Sequence, residues 1–272
     1  MPEKTFKAFC SNFFKQKRKK TDHVSVIILT QNSDEYLPIL LEFLAEFFSE
    51  IIVGVDRKST GKTFEVARKF TEKVFWIDNP GGIVEHTIEM LVSYCSNDWI
   101  LRLDDDELVS LGLVDFLEKH LQTLSVDAVG IHRKWCRVNL KSSSLEFSTN
   151  PLYGYDWQWR LFRKDKIGFN TNVHTPGISF RTETKAPLEG FIVHLDWVYR
   201  DFGYRREKVA RYESISEGLG HSAYYLYELD PAHHSYFAPL FLTDFEKATR
   251  HLIPFQQRSD SKSAALLAQQ NI

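Results

Sequence analysis

The chain has 272 residues, of which 43% are hydrophobic and 26% charged, and this composition excludes a wholly disordered or fibrous protein. The length suffices for one large domain with additions or for two small domains. The formal net charge is only −2, which gives no reason to expect nucleic acid as a partner. Three widely separated cysteines, Cys10, Cys95 and Cys136, predict neither a disulfide framework nor a Cys-rich zinc site and favour a reducing, cytoplasmic compartment.

Residues 1–22 form a basic, phenylalanine-rich extension. Phe6, Phe9, Phe13 and Phe14 recur at the spacing of one helix face, and a run rich in lysine follows at 15–20. A basic amphipathic helix of this kind can bind peripherally at the inner face of an anionic membrane. The alternative is a helix packed on the protein's own surface and followed by a charged linker. No apolar run approaches the ~18 residues of a membrane span.

From residue 23 onward, apolar β-branched runs alternate with runs of helical periodicity. In chain order the expected elements are a strand Val24–Leu29, a helix Leu37–Phe48, a strand Ile51–Val55, a helix Thr63–Phe70, a strand Val74–Ile77, a turn Asn79–Gly82, a helix Ile83–Cys95 and a strand Trp99–Leu103. This alternation predicts an α/β fold, Rossmann-like, with a mostly parallel central sheet and helices on both faces.

The second half is expected to add a smaller part to the same domain. Its expected elements are a helix Val114–Leu121, strands Ala128–Val138 and Trp157–Arg163, short strands or loops at Gly168–His174, Gly177–Arg181 and Gly190–Leu195, and a helix Tyr204–Glu217. We therefore predict one domain at 23–255, divided into 23–125 and 126–255. Residues 256–272 are expected to form a helical or frayed tail that carries no chemistry.

Polar side chains follow three of the predicted strands: Thr30 and Asn32 the first, Asp56 the second, and the run 104–107 the fourth. In a parallel sheet the carboxyl ends of the strands share one edge, and ligands bind beyond it. We expect these groups to converge at that edge.

The acidic run 104–107 is the strongest chemical signal. Asp104 and Asp106 share a face of an extended segment, and their carboxylates repel unless a cation or hydrogen-bond donors compensate. A divalent ion that is also held by substrate phosphates is the natural partner. The alternative is a solvated acidic turn that caps the following helix.

Asp56 and a pair of arginines are further candidates. Asp56 could accept the ring N–H of a uracil or thymine or contact a ribose, while Ser59 or Thr60 could cap the next helix. Arg160 and Arg163 could bind diphosphate oxygens, which suit guanidinium groups, or could be ordinary surface charges.

Two histidines and four tryptophans have both a functional and a structural interpretation. His174 and His194 could each be an additional metal ligand or an active-site base, or a structural residue with its hydrogen bonds satisfied. The tryptophans could form a stacking floor for a sugar or belong to the core; they are Trp135, Trp157, Trp159 and Trp197.

Taken in order, these motifs resemble family 2 glycosyltransferases with the GT-A fold. The first half carries Thr30-Gln31-Asn32, Asp56 with Ser59-Thr60, and Asp104-Asp105-Asp106 with Glu107. In the second half Arg160–Lys164, Val173-His174, His194 and Lys208 are similar to members that extend lipopolysaccharide cores and related glycans. The resemblance covers residues 24–212.

The resemblance implies a nucleotide-sugar half at 23–125 and an acceptor half at 126–255. Asp56 would hold the nucleobase. The implied nucleotide-sugar contacts are Thr30, Asn32, Asp56, Asp104, Asp105 and Arg160. The implied cofactor is Mn²⁺ or Mg²⁺, bound by Asp104 and Asp106 with His194 as a possible further ligand, and it would neutralise the leaving diphosphate.

The implied function is that of an inverting glycosyltransferase in polysaccharide or lipopolysaccharide biosynthesis. It would move a sugar from a UDP- or dTDP-linked donor to a hydroxyl of a glycan or glycolipid. The usual general base is missing, because Thr175 stands where the family has an acid after Val-His, so Asp196, Asp156 and His174 are the candidates. The family's acid after Ser-Thr is also replaced, by Gly61.

Two other functions remain open. The first is a catalytically degenerate glycosyltransferase-like module that binds glycan or membrane. The second is a sugar nucleotidyltransferase, which normally carries a Gly-rich basic loop that Thr30–Pro38 lacks.

Overall fold

The computed structural model describes residues 20–79, 84–151, 156–171, 176–215, 217–218, 222–229, 235–240 and 245–270. The predicted Phe-rich helix, most of the predicted turn Asn79–Gly82 and the candidate base His174 lie outside these residues. The chain divides into two compact units. We call them the sheet unit, residues 19–133 and 157–193, and the aromatic unit, drawn from residues 134–156 and 194–272.

The secondary structure follows the predicted alternation of strands and helices. The strands are β1 Thr21–Thr30, β2 Phe48–Asp56, β3 Val74–Ile77, β4 Trp99–Asp104, β5 Glu107–Val109, β6 Ala128–Asn139, β7 Ser144–Ser148, β8 Trp157–Arg163, β9 Gly168–Phe169, β10 Ile178–Ser179, β11 Glu183–Lys185, β12 Phe191–His194 and β13 Phe237–Pro239. The helices are α1 Leu37–Phe47, α2 Thr63–Ala67, α3 Ile88–Ser93, α4 Leu111–His120, α5 Asp196–Tyr199, α6 Phe202–Ile215, α7 Ser222–Tyr225 and α8 Phe245–Gln270.

The centre of the sheet unit is a parallel sheet in the order β3-β2-β1-β4. One helix connects each successive pair of these strands along the chain: α1 joins β1 to β2, α2 joins β2 to β3, and α3 joins β3 to β4. Beyond β4 the sheet continues with β8, which is antiparallel to β4, and then with β6, which is antiparallel to β8. The predicted α/β fold with a mostly parallel central sheet is therefore confirmed.

Both faces of the parallel strands are apolar because the strands are rich in Val, Ile and Leu. On one face Ile27, Ile52 and Ile100 pack in a cluster that includes Ile88 and Leu91 of α3. On the other face the side chains of β1 and its neighbours are also almost fully buried. Each such side chain contributes about 1.5–3 kcal/mol when it leaves water, so this double burial contributes strongly to the stability of the sheet.

Two predicted helices differ in extent from the observed ones. The predicted helix Ile83–Cys95 is a 3-10 turn at Val84–Thr87 followed by the short α3. The predicted helix Thr63–Phe70 ends at Ala67. Residues 256–272 were expected to be helical or frayed, and as far as Gln270 they are helical and belong to α8, which begins at Phe245.

Two buried polar side chains show how α8 packs. Gln256 and Ser263 look solvent-directed in the sequence, yet both are buried. The backbone N–H of Val138 donates to the Gln256 side chain over 2.9 Å, and that of Phe202 donates to the Ser263 hydroxyl over 2.9 Å. Within the described parts of the chain, no helix, α8 included, has the length and apolar character that a membrane crossing requires.

The aromatic unit takes its core from large rings. Trp135 of β6, Trp197 of α5 and Tyr227 form a buried cluster, with the Trp135 and Trp197 ring centroids 5.3 Å apart. Within this unit the last residues of β6 pair with β7, which pairs in turn with β13. Two of the four tryptophans considered for a sugar-stacking floor are therefore core residues.

Glu50 joins the amino ends of the parallel strands in the sheet unit. Its carboxylate pairs with Lys73 and accepts hydrogen bonds from the Ser25 hydroxyl and, over 2.9 Å, from the Ser96 N–H. Burial alone would raise the pKa of Glu50, but the hydrogen bonds from Lys73, Ser25 and Ser96 outweigh burial and lower this pKa from 4.5 to about 2.

We therefore expect Glu50→Gln to lower the free energy of unfolding near neutral pH by about 1–3 kcal/mol, because a charged hydrogen-bond acceptor is lost. The folded-state pKa of Glu50 lies below the unfolded value. The wild-type advantage is consequently full above pH 4.5 and shrinks as the pH falls towards about 2.

Urea titrations at pH 7, 5, 4 and 3 measure this dependence. The control is Glu46→Gln on the exposed surface of α1, which should change the free energy of unfolding by less than about 0.5 kcal/mol. A difference between wild type and Glu50→Gln that stays constant from pH 7 to pH 3 would contradict the assignment.

Candidate functional site

The predicted polar groups lie at the carboxyl edge of the parallel sheet. Leu29 of β1 pairs with Gly54 of β2 on one side and with Asp104 of β4 on the other. Paired residues on neighbouring strands point to the same face of a sheet, so Gly54 and Asp104 share a face. Asp56 follows Gly54 by two residues and therefore projects from that face too. β1 lies between their strands, which places the two strands roughly 10 Å apart. The sequence prediction of a shared edge is confirmed for Thr30, Asp56 and Asp104.

Asp104 is held by Arg160, which projects from the neighbouring strand β8. The Arg160 guanidinium donates through Nη1 to Asp104 Oδ1 over 3.0 Å and through Nη2 to Oδ2 over 2.6 Å. Nη2 also lies 3.2 Å from Glu107 Oε1, and Glu107 Oε2 accepts from the Asp104 N–H over 3.0 Å. Arg133 approaches the same Glu107 oxygen to 3.5 Å. The first and last acids of the run 104–107 are thus fixed by one guanidinium.

Burial and charge act differently on these two acids. The Asp104 side chain is 29% exposed, whereas those of Arg160 and Glu107 are 2% and 0% exposed. Burial alone would raise the pKa of Asp104, but the charge of Arg160 outweighs it and holds this pKa well below its usual range. Burial raises the pKa of Glu107, and the Asp104 charge adds to this effect, although Arg160 opposes it. Asp104 is therefore ionised and fixed in orientation at neutral pH.

The donor set fits a hard divalent cation that shares its coordination with a ligand. Each Asp104 oxygen accepts one bond from Arg160 and retains a second lone pair. Asp106, the second acid predicted for the metal, lies in the turn after β4 and is 6% exposed. Among the described residues no three His, Cys, Asp or Glu side chains are grouped as a complete metal site. Mn²⁺ or Mg²⁺ commonly uses one or two carboxylates and takes its other ligands from phosphates and water, which matches this arrangement.

Asp105 faces the loop after β1. Its carboxylate accepts hydrogen bonds from the Thr30 hydroxyl over 2.7 Å and from the Ser33 hydroxyl. The Ser33 hydroxyl also lies 2.9 Å from that of Tyr36. Asp105 thereby anchors the end of β1 to the end of β4.

The loops after β1 and β2 are bonded to each other. Asn32, whose φ of 54° is left-handed, accepts from the Thr60 N–H over 2.8 Å. Asp34 accepts from the Lys62 N–H over 2.6 Å and from the Thr63 hydroxyl, so its carboxylate satisfies the start of α2. A Cβ atom at Gly61 would collide with the Asp34 carboxylate. Lys62 is the N-cap residue of α2, so neither Ser59 nor Thr60 has that position.

Asp56 closes β2 and is buried. One of its oxygens accepts from the Lys58 N–H over 2.8 Å, which sets the carboxylate at the base of the loop that follows β2. A carboxylate positioned in this way at a strand end can accept a further N–H from a ligand.

A second guanidinium, that of Arg102, lies on the same face of β4 as Asp104. Arg102 is buried, and its Nη1 donates to the Pro176 carbonyl over 3.4 Å. Burial and the nearby Arg160 charge lower the pKa of Arg102 to about 10, while Asp104 and Glu85 oppose this shift. Burial in turn raises the pKa of Glu85.

The remaining candidates belong to the aromatic unit. Asp156 is half-buried and accepts from the Trp135 indole N–H over 2.8 Å. His194 is buried with its ring edge-on to Trp135, at a centroid distance of 4.1 Å. Asp196 is 1% exposed and accepts from Lys208 Nζ over 3.1 Å.

The sequence did not single out Arg102 or Glu85 as site residues. Arg102 interrupts an otherwise apolar strand, and this interruption is the signal that could have identified it. Glu85 lies in the 3-10 turn before α3, and its proximity to Arg102 depends on the tertiary fold, which the local sequence pattern does not reveal.

A family model described as glycosyl transferase family 2 matches residues 25–184, which is more than half of the chain. The chain belongs to the family 2 glycosyltransferases. It is similar to uncharacterized glycosyltransferases of Rickettsia conorii, with 32% identity over 101 residues that cover 36% of this chain and 34% of that protein. It is also similar to an uncharacterized glycosyltransferase of Rickettsia typhi, with 31% identity over 98 residues that cover 35% of this chain and 32% of that protein. The match spans about a third of the length of these relatives.

Among solved structures, the chain is similar to S. aureus TarS 1-349, with 16% sequence identity and a TM-score of 0.46. This likeness covers 80% of this chain and 72% of that one. The same TarS segment in complex with UDP-GlcNAc gives 17% identity and a TM-score of 0.45, with coverage of 80% and 73%.

For this family 2 glycosyltransferase we expect Arg160→Met to lower the free energy of unfolding by about 3–5 kcal/mol, because Asp104 and Glu107 lose their buried cation. The control is Arg57→Met. Arg57 pairs with Asp78 at the surface, with side chains 58% and 79% exposed, and should contribute less than about 1 kcal/mol. Urea denaturation measures the free energy of unfolding of both variants. Equal losses would show that the buried ion pair stabilises the protein no more than the surface pair does.

Proposed function

We propose that this protein transfers a sugar from a nucleotide-diphosphate donor, UDP- or dTDP-linked, to a hydroxyl of a glycan or glycolipid, with inversion at the anomeric carbon. The observation that carries the proposal is the common face of Asp56 and Asp104 at the carboxyl edge of the parallel sheet. The match to the family model over the same strands supports it.

The nucleotide would lie across the ends of β1, β2 and β4. Asp56, already oriented by the Lys58 N–H, would accept the ring N–H of the base. Thr30 and Asn32 would line the base and ribose pocket, and Asp105 would keep that pocket in place through its bonds to Thr30 and Ser33. Asp104 would meet the ribose and the diphosphate region.

Asp104 and Asp106 would hold Mn²⁺ or Mg²⁺, whose chemistry in this position is Lewis-acid neutralisation of the leaving diphosphate. His194 stays a proposed further ligand. Arg160 would act on the diphosphate chiefly through Asp104, because its own donors are directed at Asp104 and Glu107.

Transfer needs a base for the acceptor hydroxyl. The hydroxyl oxygen attacks the anomeric carbon, the bond from that carbon to the phosphate oxygen breaks, and the nucleoside diphosphate leaves with the bonding electrons. The hydroxyl proton passes to the base. Of the described candidates, half-buried Asp156 is better suited to receive it than Asp196, which is buried and paired with Lys208. His174 stays a candidate.

The acceptor class rests on the resemblance of Arg160–Lys164 and His194 to enzymes that extend lipopolysaccharide cores. A second candidate function, a degenerate module that binds glycan without catalysis, is favoured by Thr175 in place of the family's acid. Absence of both transfer and donor hydrolysis with every donor in the presence of Mn²⁺ would select this second function. Release of pyrophosphate from a nucleoside triphosphate and a sugar phosphate would instead indicate a nucleotidyltransferase.

A thermal-shift panel of nucleoside diphosphates and their sugars, with and without Mn²⁺, tests the proposal. We expect UDP or dTDP compounds to raise the melting temperature, and more so with Mn²⁺, because a ligand that binds only the folded state stabilises it. We expect Asp106→Asn to lose the Mn²⁺-dependent part of the shift and to lower turnover by roughly 100-fold or more.

The matched control is Asp115→Asn on α4, where Asp115 lies 3.5 Å from Lys119 on the helix surface. This variant should keep both the shift and the turnover. Wild-type turnover and a wild-type Mn²⁺ effect in Asp106→Asn would reject the metal assignment.

A further inference from the structure

Arg102 is a buried cation with unusually few partners. It is 6% exposed, and among the described residues its one hydrogen bond is the 3.4 Å contact from Nη1 to the Pro176 carbonyl. Its Nε is buried and meets no acceptor among the described residues. No carboxylate in the described ranges lies within ion-pair distance of its guanidinium. A buried charge that is this poorly compensated costs several kcal/mol of folding free energy.

The neighbouring Arg160, unlike Arg102, is paired with carboxylates. Leu101 pairs with Leu161 across the antiparallel strands β4 and β8, so the next residues in register, Arg102 and Arg160, lie opposite each other. Arg160 binds Asp104 through both Nη atoms and also contacts Glu107, while Arg102 has no such partner. The carboxylates of Asp104 and Glu107 are thus paired with Arg160 rather than with Arg102.

The charges around Arg102 come from four elements. Asp104 follows it on its own strand, Glu107 belongs to β5, Arg160 to β8, and Glu85 to the 3-10 turn before α3. Glu85 acts on Arg102 through space but does not bind its guanidinium, and burial favours the protonated form of Glu85 by raising its pKa. Arg102 thus retains unsatisfied donor capacity between two segments, the 3-10 turn and Pro176.

The position of Arg102 indicates what it could bind. Arg102 lies two residues before Asp104 on β4 and projects from the same face of the sheet as Asp104 and Asp56. A buried guanidinium with unsatisfied donors suits a phosphate oxygen, which can accept bonds from Nε and Nη together.

We propose that Arg102 is an anion-binding residue of the donor site, which donates to a phosphate oxygen of the nucleotide diphosphate. This inference rests on the proposed function for the location of the diphosphate. Arg102 would supply the positive charge beside the diphosphate. Arg160 cannot do so directly, because it is bound to the carboxylates of Asp104 and Glu107.

The proposal predicts opposite effects on stability and on binding. Without ligand, Arg102→Met should keep or raise the melting temperature, because it removes a poorly compensated cation that faces Arg160. The same variant should bind the preferred nucleoside diphosphate about 10- to 100-fold more weakly, since a charged hydrogen bond is lost. Its affinity for the nucleoside alone should not change.

Calorimetric titration with UDP, uridine and inorganic pyrophosphate, each with Mg²⁺, measures these effects, with dTDP and thymidine replacing UDP and uridine if the panel favours them. The control is Arg68→Met in the sheet unit, because Arg68 is exposed and donates to the Glu72 carbonyl at the surface. Arg68→Met should keep wild-type affinity for all three ligands. Arg102→Lys, which keeps the charge but not the planar fork, should fall between Arg102→Met and wild type.

The outcomes separate this inference from the proposed function. If the wild type binds pyrophosphate but no nucleotide, and Arg102→Met loses pyrophosphate, the proposed function fails and the anion site stands. If Arg102→Met binds UDP and pyrophosphate within twofold of wild type, the anion site is rejected. A melting temperature that falls as far as that of Arg160→Met, or failure of Arg102→Met to fold, would assign Arg102 a structural role and overturn the inference. Failure of the wild type to bind pyrophosphate or any nucleotide would reject both.

Discussion

The candidate site depends on one bidentate ion pair, between Arg160 and Asp104. Four consecutive acids at the end of a buried strand could not lie side by side without compensation. Arg160 neutralises the first of them, contacts the last, and holds both from a neighbouring strand. Asp104 is therefore fixed in the structure without any ligand, so little entropy is lost when a ligand meets it.

The site is formed by the last residues of strands whose preceding residues belong to the apolar core. On one face of the sheet, Ile52 and Ile100 lie in the apolar cluster with α3. Two positions later the same face carries Gly54 and Arg102, and two positions further it carries Asp56 and Asp104. The apolar half of each strand supplies the free energy that allows charged residues to be held at its other end.

How much the sequence can predict follows from this arrangement. Apolar β-branched runs located β1, β2 and β4 to within a few residues, and topology rules then placed Thr30, Asp56 and Asp104 at one edge. The short strands β5, β11 and β13 escaped prediction because three residues carry no periodicity. The contacts of Arg160 with Asp104 and of Arg102 with its neighbours depend on strand pairing between distant segments, which local pattern does not encode.

The bond network between the loops after β1 and β2 has an evolutionary consequence. Asp34 occupies the space that any side chain at Gly61 would need, while its carboxylate satisfies the start of α2. An acidic residue at position 61, which the family often has after Ser-Thr, would bring a second carboxylate against the first. Substitutions at these two positions should therefore be correlated among homologous chains, with an acid present at one of them and a small or neutral residue at the other.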